Sequence, residues 1–139
     1  DLRRLPKGSI ITPHPGEMDR LVGKCADSYE RLTRAINLAQ TCGVYVVLKG
    51  AYTAVISPEG NCWFYVTGNP GMATGGCGDV LTGIILSLLA QGYDADTAAK
   101  MGVYVHGLAG DLAAREKGEI ALTASDVVDY LPKAWKLLE

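Results

Sequence analysis

No stretch of this 139-residue chain approaches the roughly 18 consecutive apolar residues that a membrane span requires, so a spanning helix is not expected. The opening Asp1-Leu2-Arg3-Arg4 has none of the apolar core of a secretory signal, and a cytoplasmic setting is expected. Basic excess is missing too. A formal net charge of −2 gives no electrostatic reason to expect nucleic acid or an acidic membrane surface as a partner. The four cysteines, Cys25, Cys42, Cys62 and Cys77, include no pair at two-residue spacing and no histidine at zinc spacing, so reduced thiols are expected. Cys77 sits where a helix should begin, and a lowered pKa with reactivity toward electrophiles is expected there without a catalytic role. There is no Walker pattern, internal repeat, low-complexity tract or linker, hence one domain over residues 1–139 with no internal boundary.

What is present is an ordinary globular composition, 48% hydrophobic and 20% charged, in which disorder is not expected. Ser9-Ile10-Ile11-Thr12, stopped by Pro13 and Pro15, suits a short buried strand, and residues 16–22 suit a short helix. Leu32, Ala35, Ile36 and Ala39 recur at helical spacing, with Ser28 able to cap the start and Gly43 the end of a helix over 28–42. Val44-Tyr45-Val46-Val47-Leu48 is the kind of run found in strands buried on both faces of a parallel sheet. Strand, helix and strand together imply a right-handed crossover. Residues 53–56 and 62–66 flank Ser57-Pro58-Glu59-Gly60-Asn61 and predict a hairpin.

Three more helices are expected. One over 79–90 is apolar nearly all round and should be buried in a larger body. The next, over 95–115, should turn Ala98, Met101, Val105, Leu108, Ala109 and Leu112 inward. The last spans 125–131, with Pro132 beginning a closing segment. A fully buried strand needs more neighbours than these elements supply, which predicts that the chain is part of a larger domain.

Gly68-Asn69-Pro70-Gly71-Met72-Ala73-Thr74-Gly75-Gly76-Cys77-Gly78-Asp79 carries the chemistry. Glycines allow the backbone to approach a ligand closely, and the first turn of a helix offers N–H groups without intrahelical partners, aided by the positive end of the helix dipole. That combination favours phosphate. A carboxylate at Asp79 would repel a bound phosphate unless it had its own task, and the task it suits is taking a proton from a hydroxyl that attacks the phosphate.

Lys49-Gly50-Ala51-Tyr52-Thr53 follows the buried strand, at the edge where open α/β sheets bind ligands, and Lys49 suits a phosphate, with a surface lysine beside a turn glycine as the alternative. In Thr12-Pro13-His14-Pro15-Gly16-Glu17 the prolines should hold His14 in a fixed direction toward a substrate, with a solvated histidine as the alternative. Glu17 suits either a metal-bound water or the positive end of the helix it opens. His106 and Asp111, beside Gly107 and Gly110, are better explained by helix packing than by catalysis.

These blocks, in this order and continuing through His106-Gly107-Leu108-Ala109-Gly110-Asp111, closely resemble the ADP-dependent NAD(P)H-hydrate dehydratases, a ribokinase-like branch. The resemblance covers essentially the whole chain. It implies an α/β class, three-layer α/β/α fold, of which this chain is the C-terminal half with a mostly parallel sheet plus a hairpin. The implied activity is repair of hydrated NADH or NADPH with ADP as co-substrate and Mg2+ as cofactor, releasing AMP and phosphate. By the same resemblance Asp79 is the catalytic base, Gly75, Gly76, Cys77 and Gly78 form the anion hole, and Lys49, Gly50, Ala51, Tyr52, Thr53 and Gly78 bind nucleotide. His14 and Asp79 contact the hydrate. A homo-oligomer is expected. The family often has threonine where this chain has Cys77, and its N-terminal half, which supplies further strands, has no counterpart here. Two other readings compete: a ribokinase-like kinase of a small vitamin precursor, and a non-catalytic nucleotide-binding fragment.

Overall fold

The computed structural model describes residues 1–139 and divides into two compact units, Asp1–Phe64 and Tyr65–Glu139. In the first, strands β1 (Ile10–Ile11), β2 (Tyr45–Leu48), β3 (Thr53–Ile56) and β4 (Cys62–Tyr65, running to the unit boundary) form one sheet in sequence order. Helices α1 (Pro15–Val22) and α2 (Ser28–Cys42) accompany it. β1 and β2 are parallel, with Ile10 opposite Tyr45, whereas β2 and β3 are antiparallel, with Val47 opposite Val55. The expected mostly parallel sheet is therefore mixed within this chain. The loop from Leu48 to Thr53 is too short for the crossover that a parallel pair needs, so β3 turns back on β2. The five-residue turn Ser57–Asn61 then forms the expected hairpin, closed by Ser57 N–H donating to Asn61 O at 2.9 Å.

β2 is buried along its whole length, as its unbroken apolar run requires. Val44, Val46 and Leu48 pack with Met18, Ala35 and Ala39 of the two helices, while Val47 and Val55, on the opposite face, are equally inaccessible. Ala35, Ala39 and Cys42 form the inner stripe of α2. Asp27, one residue before the expected Ser28, caps this helix: its backbone is extended and its Oδ1 accepts from Glu30 N–H at 2.8 Å. Gly43 ends the helix in the left-handed region, φ 68°, as anticipated.

The second unit is helical: α3 (Cys77–Ala90), α4 (Ala95–Lys117) and α5 (Ala124–Leu137). Small residues set its spacing. A Cβ on Gly102 of α4 would lie 2.7 Å from Ile85 Cγ1 of α3, so the two helices approach at that glycine. Val105, Ala109 and Ala113 of α4 pack with Val127, Tyr130 and Ala134 of α5. α3 buries Leu81, Ile84, Ile85 and Leu88 but leaves Leu86 64% exposed, so it is not enclosed all round within this chain. Met101, Leu108 and Leu112 are half-buried; the deepest positions of α4 are glycine, alanine and valine. α5 continues through Pro132 instead of stopping before it. The apolar stripe Val127, Tyr130 and Ala134 spans the proline, and packing outweighs the missing N–H bond. No helix is long and apolar enough to cross a membrane.

Candidate functional site

The C-terminal ends of β1 and β2 bring together the residues anticipated there in the first unit. Lys49 N–H donates to Pro13 O at 3.0 Å, which ties the segment after β2 to the residue before His14. His14 caps α1: its Nδ1 accepts from Glu17 N–H at 3.1 Å, and Glu17 Oε1 accepts from His14 N–H at 3.0 Å. This capping box occupies Glu17 and leaves the imidazole about half exposed, in a direction set by its own Nδ1 bond and not by the prolines alone. Glu17 is held below the ordinary carboxylate value of 4.5 by the His14 amide, with Lys49 and Arg20 adding positive charge against partial desolvation. Beyond Lys49, residues Gly50, Ala51 and Tyr52 are exposed, and a Cβ at Gly50 would find only Tyr52 O, at 3.8 Å. A groove of about 360 Å³ opens alongside, lined by Thr12, Pro13, Glu17 and Arg20 among others.

In the second unit the glycine loop runs directly into α3. The other four α-helices start at a capping side chain: His14, Asp27, Asp94 and Thr123. α3 starts at Gly76, φ 93°, and no side chain caps it. Thr74, Gly75 and Gly76 are exposed, and nothing lies within 4 Å of a Cβ built at Gly75. Cys77 N–H donates to Thr74 O at 3.4 Å, the amides that follow it in the first turn have no side-chain cap, and Asp79 is exposed in that same turn. Such an end can accept a phosphoryl group, and the carboxylate beside it can accept a proton.

Cys77 departs from expectation. It is 4% exposed and packs among Val105, Ala109 and Val127, and burial pushes its thiol above the ordinary value, outweighing a backbone bond from Thr74. Desolvation of the thiolate exceeds the pull of the helix end. All four cysteines are unpaired thiols.

Two residues read as packing elements do more than pack. Asp111 Oδ2 accepts from Gly68 N–H at 3.0 Å and Oδ1 accepts from Asn69 Nδ2 at 2.9 Å; Asn69 Oδ1 in turn accepts from Gly71 N–H at 3.0 Å. His106 Nε2 lies 3.0 Å from Cys77 O. Both polar side chains stand on a helix face otherwise lined by glycine and alanine. Both are half-buried, and polar groups drawn toward a packed face need partners, which was the signal available in the sequence.

A family model described as NAD(P)H-hydrate dehydratase matches residues 2–133. A bifunctional NAD(P)H-hydrate repair enzyme of Thermofilum pendens is 48% identical over 138 residues, covering 98% of this chain and 26% of that protein. An ADP-dependent (S)-NAD(P)H-hydrate dehydratase of Bacillus subtilis is 39% identical over 132 residues, covering 94% of this chain and 48% of its own length. Thus the chain spans about a quarter to a half of these relatives. Among solved structures, the ADP/ATP-dependent NAD(P)H-hydrate dehydratase of Bacillus subtilis, co-crystallised with ATP/Mg2+, superposes with a TM-score of 0.88 at 38% identity, covering 97% of this chain and 50% of that one. A ribokinase-like superfamily protein of Enterococcus faecalis superposes with a TM-score of 0.75 at 31% identity, over 92% of this chain and 44% of that one. The α/β fold is ribokinase-like.

Proposed function

The chain belongs to the NAD(P)H-hydrate dehydratase family, and from that membership we propose that it supplies the phosphoryl-handling part of an enzyme that dehydrates NADH or NADPH hydrate at the expense of ADP. The observation that carries this reading is the start of α3, where exposed glycines replace a capping side chain beside an exposed Asp79. Asp79 removes the proton from the ring hydroxyl of the hydrate. The resulting oxygen attacks the terminal phosphorus of ADP, the bond from that phosphorus to the AMP oxygen breaks, and AMP departs. The phosphorylated oxygen then leaves as inorganic phosphate, and loss of a proton from the adjacent ring carbon restores the double bond.

The amides of Gly75, Gly76, Cys77 and Gly78 serve the oxygens on which charge grows, with Cys77 N–H giving up its 3.4 Å bond to Thr74 O to do so; a preorganised donor of this kind is worth about 10²–10³ in rate. Because those contacts come from the backbone, a cysteine at position 77 keeps them as well as any other non-proline residue would. Lys49 to Thr53 serve the nucleotide, with the Lys49 ammonium as a point charge toward phosphate and Gly50 permitting close approach. His14, held by its cap to Glu17, contacts the hydrate. We read the two units as the C-terminal half of one ribokinase-like domain, and the protein as acting without nucleic acid or membrane.

The chain has no cluster of three or more His, Cys, Asp or Glu side chains suited to a metal ion. Magnesium is commonly held by substrate phosphates, waters and one or two carboxylates, so it would arrive with the nucleotide. Asp79 is the acidic residue in the first turn of α3 and could contribute one such carboxylate; when bound, the ion would neutralise phosphate charge.

The test is to incubate the intact protein with ADP and hydrated NADH and follow recovery of the reduced-nicotinamide absorbance. Recovery with stoichiometric AMP and phosphate is expected, falling at least about 10²-fold in Asp79→Asn. No recovery, together with formation of a stable phosphate ester on a small alcohol, would replace the dehydratase with a kinase.

A further inference from the structure

We propose that Asp111 is a positioning residue for phosphoryl transfer: together with His106 it fastens both ends of the Gly68–Gly76 loop to α4 and so sets the amides that receive the phosphate. The inference rests on the reading of that loop as an anion hole.

An anion hole works only when its donors are already aimed. A segment with Gly68, Gly71, Gly75 and Gly76 has more conformational freedom to lose than one without them, so its order needs outside contacts. Two of its glycines are held at positive φ, 110° at Gly68 and 93° at Gly76. The bonds that hold them converge on one helix. At the entrance, the Asp111 carboxylate takes Gly68 N–H on one oxygen and the Asn69 amide on the other, and Asn69 relays the constraint to Gly71. At the exit, His106 Nε2 meets Cys77 O in the first turn of α3; a carbonyl oxygen only accepts, so Nε2 carries the proton.

Between these two fastenings the helix meets the loop through glycine. A Cβ on Gly107 would come within 2.6 Å of the Thr67 carbonyl carbon, and one on Gly110 would collide with the Met72 side chain, so loop backbone and side chain lie directly on α4. Polar residues at 106 and 111 with glycines at 107 and 110 thus make a fixture: two hydrogen-bonding ends and a flat seat.

Position 111 needs an acceptor on both sides. An asparagine there could still accept from Gly68 N–H, but its NH2 would then face the NH2 of Asn69. The clash disappears if position 69 becomes aspartate at the same time. The carboxylate now at 69 can accept from the amide now at 111 with one oxygen and from Gly71 N–H with the other. This exchange separates positioning from bulk and charge, since the wild type and the double variant have the same composition and the same total charge.

In the intact protein, Asp111→Asn is expected to lower kcat about 10²-fold, the scale of a misplacement of about 1 Å, with a much smaller change in KM for ADP. Hydrogen exchange should rise across residues 68–77 and stay unchanged in the cores of α4 and α5. The double variant Asn69→Asp with Asp111→Asn should recover most of both. Unchanged kcat and unchanged loop exchange in Asp111→Asn would overturn the proposal. So would a double variant no better than the single one, or an exchange increase spread evenly over the whole unit, which marks plain destabilisation. If the wild-type protein lacks dehydratase activity, the functional reading fails by itself, and the exchange comparison still decides whether Asp111 and Asn69 hold the loop.

Discussion

Lys117 Nζ lies 2.9 Å from Asp126 Oδ1, so the last turn of α4 is tied to the first turn of α5 across the intervening loop. Asp126 does a second job at the same place. Its Oδ2 accepts from Thr123 N–H at 3.0 Å while Thr123 Oγ1 accepts from Asp126 N–H at 3.2 Å, a capping box whose acid also carries the ion pair. The hydrogen-bonded Lys117 ammonium, then the Thr123 amide, hold the Asp126 carboxyl below its ordinary 3.8.

A group whose folded pKa is depressed contributes stability above its unfolded pKa, and loses that contribution as pH falls through the folded value. Thermal melts of the wild type should therefore show a loss of stability below about pH 4 that Asp126→Asn reduces, with the variant the less stable of the two at pH 7. Parallel melting curves across that range would exclude the Lys117–Asp126 tie as a source of the pH dependence.

Gly107 and Gly110 face the same loop but should respond differently to alanine. At Gly107 the new methyl meets backbone of Thr67, which cannot yield locally; at Gly110 it meets the flexible end of Met72. Gly107→Ala is expected to cost about 1–3 kcal/mol through overpacking, and Gly110→Ala less, because the Met72 side chain can move aside while the gain in helix propensity is the same at both positions. Urea unfolding of the two variants gives the order directly.

Gly76 combines φ 93° with a position 3.0 Å from Ala124 Cβ for any added methyl. Gly76→Ala should lose about 1–2 kcal/mol of stability from left-handed strain and weaken ADP binding as the start of α3 shifts. Thermal shift with and without ADP separates the two effects: a lowered melting temperature with an undiminished ADP shift would remove Gly76 from the phosphate site.

Cys77 should be slow toward thiol reagents at neutral pH despite heading a helix, since it is buried and its thiol is pushed up. Mass-resolved alkylation is expected to modify the half-buried Cys62 before Cys77. Labelling of Cys77 first would show that the helix end outweighs desolvation after all.

Local signals placed most of the elements. The periodicity of Leu32, Ala35, Ile36 and Ala39 and the glycine at 43 located α2 correctly, and the turn chemistry of Ser57–Asn61 located the hairpin. The cap moved to Asp27 because several residues near a helix start are competent and backbone geometry selects one. α5 outran Pro132 because a stripe of buried side chains on both sides of a proline is invisible to a rule that treats proline as a stop. On the site, the dense glycines and Asp79 are, by composition alone, the basis of the phosphate position we propose. The bonds that organise it span about forty residues, from Asp111 to Gly68 and Asn69, and no local pattern encodes a separation of that length.

The amino-acid order by itself determined most of the secondary elements, the membership in a family and the presence of a glycine-rich entry to α3, because each depends on short-range periodicity or on residue type. Only the tertiary structure decided that Cys77 is desolvated, that β2 has one parallel and one antiparallel neighbour, and that His106 and Asp111 grip the glycine loop. Burial, strand pairing and the partners of a buried polar group are properties of what packs against a residue, and that is settled only when distant parts of the chain meet.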